Sequence, residues 1–172
     1  MVLGLASALA ACGPTTEPSA PAPGSGDWRE FQGSWNATGT RHAIPLGADR
    51  RATVVDLSGT MLLAGAGRPG VGFRSEVIAL TDSATGLVGR GVWTDERGDQ
   101  VYSEIKGEGT AARNRFEGTI LGGTGRYAGA TGTYQFSWQF VLEAEDGSIQ
   151  GRAVDIKGRV GIGPANAGTP RQ

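Results

Sequence analysis

From Thr133 to Glu143 large apolar side chains take every second position: Tyr134, Phe136, Trp138, Phe140 and Leu142. Mostly polar residues, Thr133, Gln135, Ser137, Gln139 and Glu143, stand between them. A period of two marks a β-strand with one buried face. Weaker runs of the same kind predict seven more strands, over 31–40, 52–63, 71–80, 87–94, 100–109, 115–121 and 149–160. Turn chemistry separates them: Arg68-Pro69-Gly70, Asp82-Ser83, Glu96-Arg97-Gly98-Asp99, Arg113-Asn114 and Asp146-Gly147. No window carries an apolar stripe of helical period between caps. Eight short-linked antiparallel strands close into a barrel or split into a sandwich. Gly is 30 of 172 residues and falls within strand patterns at Gly59, Gly89, Gly91, Gly107, Gly109, Gly118, Gly151 and Gly158. That usage favours the sharp coiling of a small barrel. The expected fold is therefore all-β, an eight-stranded antiparallel closed or nearly closed barrel.

The pattern also sets the domain limits. Residues 13–27 read GPTTEPSAPAPGSGD, with nothing large to bury, and form a Pro-, Ala- and Gly-rich disordered tether. Its fifteen residues span up to about 45 Å at roughly 3.1 Å each. Residues 28–163 are long enough for one barrel domain, and 164–172 make a small, polar, disordered tail. Lys and Arg number 16 against 17 Asp and Glu, interspersed along the strands. No basic footprint for nucleic acid follows from that balance.

Residues 1–12 place Leu3, Leu5, Ala6, Ala8 and Leu9 ahead of Leu9-Ala10-Ala11-Cys12-Gly13. The run is too short to cross a bilayer as a helix, and it resembles a bacterial lipoprotein signal peptide with its lipobox. The resemblance implies cleavage before Cys12, lipidation of its thiol and amine, and a membrane as partner. With Gly13 after the Cys, it implies the periplasmic face of the outer membrane in a Gram-negative cell envelope. Two or three acyl chains, at about 0.8 kcal/mol per buried CH₂, would make the attachment effectively permanent.

A second resemblance lies in the run from Glu117 to Gly132, EGTILGGTGRYAGATG. It resembles the segment of the allene oxide cyclase and dirigent-like barrel superfamily, where a strand ends in Gly-Gly-Thr-Gly, a short Arg-aromatic-Ala piece follows, and the next strand opens with Gly. The likeness implies an allene oxide cyclase-like barrel. It leaves activity open, because the superfamily holds cyclases, stereochemical directing proteins and proteins of no assigned activity. Gly122, Gly123 and Gly125 are expected to supply backbone freedom in this turn. Gly123 to Ala128 also fits the dinucleotide pattern G-x-G-x-x-A. That pattern needs a helix directly behind it, and here a strand follows.

The inventory for chemistry is short. Cys12 is the lone cysteine and His42 the lone histidine, so a disulfide framework and Cys- or His-rich metal sites are excluded. No metal or cofactor is expected. His42 reads as an exposed loop residue, and Asp95 to Asp99 as a hairpin turn rather than a calcium loop. Four charged or phenolic residues share strand parity with apolar ones and are candidates for the lumen: Glu76 with Ile78 and Leu80, Glu104 with Tyr102, and Arg90 with Val92. In an apolar lumen their ionisation would shift and could serve acid–base work. Outward orientation is favoured for each one taken singly. The stripe Tyr134, Phe136, Trp138 and Phe140 can fill the core, line a ligand pocket, or form an outer face for a homodimer or homotrimer.

Two functions follow. One is a lipid-anchored envelope protein whose barrel binds a small hydrophobic or aromatic molecule, or a protein partner, without chemistry. The other is a cofactor-independent cyclase or isomerase acting on a reactive substrate in the lumen. Binding is favoured, because no nucleophile, metal site or paired acid and base can be placed. The anchor is testable by itself: Cys12→Ser should leave an unprocessed or soluble product, and an unchanged membrane fraction and mass would refute lipidation.

Overall fold

The structure, a computed structural model, describes residues 29–65, 70–107 and 115–163. The expected signal, tether and tail lie outside the described residues, as does Gly109. Eight strands form in chain order: β1 Arg29–Pro45, β2 Arg51–Gly65, β3 Val71–Asp82, β4 Gly86–Asp95, β5 Gln100–Gly107, β6 Arg115–Gly123, β7 Ala130–Glu143 and β8 Ser148–Ile162. Each pairs antiparallel with the next, and β1 pairs with β8 to close the barrel. Closure leaves no unpaired sheet edge.

Alternation sorts side chains between lumen and solvent. Trp35 and Ala37 of β1, Leu57, Met61 and Leu63 of β2, and Phe73, Val77 and Ala79 of β3 are buried. So are Trp93, Val101, Ile105 and Ile120 on β4 to β6, Tyr134, Phe136 and Trp138 on β7, and Ile149, Ala153 and Ile156 on β8. The parity of β8 switches between Ala153 and Ile156. Trp35 pairs with Ala153 while Gly33 pairs with Ile156, so β8 carries one extra residue there. Asp155 takes φ 55°, the one positive φ of a non-glycine among the described residues, in the bulge. Without that residue Ile156 and Val160 would face solvent.

Glycines make room for the large rings. A Cβ on Gly118 would stand 2.0 Å from the Tyr134 ring, and one on Gly151 would stand 2.4 Å from Trp138. One on Gly158 would meet Phe31 and Tyr134 at 2.6 Å. The wall thins where a neighbouring strand lays an aromatic across it.

The Gly-rich run between β6 and β7 forms a 3-10 turn, Gly125–Tyr127, and the next strand begins at Ala130. No α-helix follows it, as the strand-like pattern requires. Gly125 has φ 50°, and a Cβ there would fall 1.8 Å from Oδ1 of Asp99. Gly122 also lies at positive φ, 150°. Gly123 differs from expectation: its φ is not positive, and the demand there is steric, with Gln100 O 2.3 Å from where a Cβ would sit. Gly125→Val should destabilise the domain by about 1–3 kcal/mol through strain and the clash with Asp99. An unchanged thermal midpoint would show that the turn does not need glycine.

Candidate functional site

The two ends of the lumen differ. Where β1 begins and β4 ends, five rings converge: Trp93 meets Phe31, Phe73 and Tyr134 edge-on at 6.5, 6.2 and 5.1 Å, and Phe73 meets Tyr127 at 5.8 Å. This floor is filled with side chains. Tyr134 also donates its hydroxyl to Ser103 Oγ at 3.0 Å, within the wall, and burial raises its phenol to about 12.

An ion pair locks the floor. Asp95, at the end of β4, has a side chain with no solvent exposure, and its Oδ2 lies 2.6 Å from Nη2 of Arg126. Its Oδ1 accepts the backbone N–H groups of Arg97 at 2.8 Å and Asp99 at 3.0 Å. Arg126 Nε donates to the Tyr127 hydroxyl at 3.0 Å, and the Arg126 backbone N–H donates to Asp99 at 3.2 Å. The turn Gly125–Tyr127 is thus tied to the β4–β5 turn, and Tyr127 is held against Phe73. Burial alone would raise the Asp95 carboxyl. The backbone donors of Arg97 and Asp99, with Tyr127 and Arg126 behind them, outweigh it and hold the group below its usual value.

The opposite end is open. A cavity of about 590 Å³ enters there, lined by Trp35, Phe116, Phe136, Trp138 and Phe140 together with aliphatic side chains such as Leu57, Val77 and Ile149. Trp35 and Trp138 pack at 5.5 Å, Phe116 and Phe136 stack at 5.2 Å, and Phe140 stands edge-on to Trp138 at 5.9 Å. The Trp35 N–H has no hydrogen-bond partner, but its neighbours cover it and it is not offered to the cavity. Ionisable lining residues are confined to Asp49, Arg50 and Arg51 at the rim. Arg50 is held by Asp82 through Nε at 3.0 Å and Nη2 at 2.6 Å. The volume and aromatic lining suit a small apolar molecule. A second concavity, about 780 Å³, lies on the outer wall among outward-facing polar side chains such as Glu117, Gln135 and Lys157. Its lining is that of a solvated sheet face.

The aromatic stripe of β7 is divided between these ends: Tyr134 belongs to the floor, Phe136 and Trp138 line the cavity, and Phe140 is half exposed at the mouth. Four other candidates do not reach the lumen. Glu76, Arg90, Tyr102 and Glu104 lie on the outer wall, so the lumen placement that made them site candidates is corrected to the outward orientation favoured for each. Glu104 pairs with Arg90 at 2.8 Å and Lys106 at 2.5 Å, Glu76 with Arg74, and the Tyr102 hydroxyl donates to Gln100 at 2.9 Å. For Glu76 the reason lies in β3. Val77-Ile78-Ala79-Leu80 is apolar on both faces, and it is Val77 and Ala79 that point inward while Ile78 and Leu80 are exposed. Parity with Ile78 therefore indicated the wrong side. His42 is exposed on β1 rather than in a loop. Alternation alone did not single out Trp35 and Phe116, although Trp35 shares inward parity with Phe31 and Ala37, and Phe116 with Ile120. Among the described residues, no group of three or more His, Cys, Asp or Glu side chains could hold a metal ion.

No protein-family model matches the chain, and no curated protein matches it. Among solved structures, a pterocarpan synthase dirigent protein is similar, at 14% identity and a TM-score of 0.48, over 88% of this chain and 100% of that one. At that distance the chemistry of this chain rests on its own residues.

The floor lock makes a prediction about acid. A carboxyl whose folded pKa is depressed stabilises the fold above the unfolded value near 4, and that contribution is lost as pH falls through the lower folded value. Asp95→Asn should cost about 1–3 kcal/mol at pH 7 and flatten the loss of stability below pH 4. Denaturant titrations at pH 7, 4 and 2.5 read both, and parallel pH profiles for the two proteins would refute the assignment.

Proposed function

We propose that this barrel binds a small apolar or aromatic molecule in the open half of its lumen. The observation that carries the proposal is the cavity of about 590 Å³ walled by Trp35, Phe116, Phe136, Trp138 and Phe140, above a floor that side chains already fill. Flat rings gain from edge and face contact with such walls beyond the area they bury. The absence of ionisable side chains below the rim, among the described lining residues, gives an acid–base role in the lumen less support than binding. We propose further that the domain is held in the cell envelope by lipid on Cys12. That part rests on Leu9-Ala10-Ala11-Cys12 and the tether behind it.

The test is titration with N-phenyl-1-naphthylamine, a neutral aromatic probe whose emission rises in apolar surroundings. Saturable 1:1 binding is expected. Phe140→Ala should weaken it about three- to tenfold, the loss of one partly exposed ring, without moving the thermal midpoint. Leu121→Ala, on the outer wall near the floor, should bind as the parent does. Absence of saturable binding would overturn the proposal.

A further inference from the structure

Among the described residues twelve large hydrophobic side chains are exposed, and their distribution is uneven. Three, Leu62, Tyr102 and Leu121, lie toward the floor. The other nine lie toward the mouth, on β1 to β4, the β1–β2 tip and β7. Ile44 and Leu46 sit on the β1–β2 tip. Val54, Leu80 and Val88 form one continuous row across β2, β3 and β4, because Val54 pairs with Leu80 and Leu80 with Val88. Ile78, 63% exposed, lies one step below that row. Phe140, Val141 and Leu142 end β7, where the register shifts between Phe140 and Leu142. Strict alternation would turn Leu142 inward with Phe140. The shift leaves it outside, beside Val141 at 64% exposure.

The two walls that carry these residues face opposite ways. β3 and β7 are four strands apart in a ring of eight. One flat partner against a flank can cover Val54, Leu80 and Val88, or it can cover Val141 and Leu142, but not both. A plane across the mouth meets them all. Ile78 lies four residues from the strand end at Asp82, which is about 10 Å along the axis at roughly 3.3 Å per residue and a 40° tilt. That depth matches the roughly 5–10 Å to which apolar faces enter a lipid surface.

We propose that the open end of the barrel docks on a lipid bilayer, with the apolar collar around its mouth in the headgroup and upper acyl region. The attraction is apolar, since the rim carries both signs: Arg41 with Glu143 and Arg50 with Asp82 are ion pairs. Chain length permits the orientation. The described chain starts with Arg29 at the floor end, and the fifteen residues of 13–27 span up to about 45 Å, more than the roughly 35 Å height of a barrel with 14-residue strands. A domain tethered at its floor can therefore present its mouth to the same membrane, and the cavity would open toward the lipid.

Flotation with phosphatidylcholine vesicles tests this on the full chain carrying Cys12→Ser, which removes any acyl anchor, together with Leu3→Ser, Leu5→Ser and Leu9→Ser, so that the apolar run ahead of it cannot insert by itself. The protein should float with the vesicles, equally at low and high salt. Val141→Glu with Leu142→Glu should lower partitioning about tenfold or more, and so should Leu80→Glu with Val88→Glu on the opposite wall. Leu121→Glu should change nothing. All five are surface positions, and thermal midpoints confirm that each variant folds. Failure of the Cys12→Ser chain to float would overturn the proposal, as would equal loss with Leu121→Glu. A dimer or trimer in sizing that only one of the two double variants dissolves would assign the collar to a second copy of the chain instead. Binding of N-phenyl-1-naphthylamine in solution is a separate readout, so loss of docking and loss of the lumen reading are distinguishable.

Discussion

The floor of the lumen is the constraint on which the rest of this molecule depends. An eight-stranded barrel is only wide enough to be filled by its own side chains or to hold one small molecule. Here five rings, Trp93 among them, fill one end. Their packing needs the thin wall at Gly118 and Gly158 and the extra residue of β8 that returns Ile156 to the inside. Because the filling stops at Tyr134, the rings above it border free volume.

The Gly-rich turn between β6 and β7 belongs to the same end. It has the letters of a nucleotide loop and none of the setting, since its backbone leads into a strand. Its glycines bring Arg126 to the buried carboxylate of Asp95 and Tyr127 to Phe73. A buried carboxylate is unfavourable unless its charge is compensated, and here two backbone N–H groups donate to Oδ1 while the guanidinium charge of Arg126 stands beside Oδ2. Such a pair holds geometry more than it adds stability. The geometry held is the closure of the barrel's lower end.

The open end carries an unusual amount of exposed apolar surface for a wall that alternates elsewhere. Isolated apolar residues on a surface are ordinary. A collar that crosses β2 to β4, the β1 tip and the end of β7 is not a scatter, and it shares its axis with the cavity. An apolar lumen and an apolar rim are consistent with one route for an apolar ligand.

Strand number, strand limits within a few residues, and the inward face of β7 were legible in the sequence, because a period of two with turn residues between the runs leaves few other readings. Closure was indicated by glycine within strands. The orientation of β3 was not legible, since Val77-Ile78-Ala79-Leu80 is apolar at every position and alternation then carries no sign. Only the pairing of β3 with β2 and β4, and of β4 with β5, decided that Glu76, Arg90, Tyr102 and Glu104 belong outside. The sequence likewise showed four aromatic residues in a stripe on β7 without saying which would be floor and which wall. That depends on rings from β1, β3, β4 and β6, distant in the chain and adjacent across the lumen, and on where their combined volume runs out.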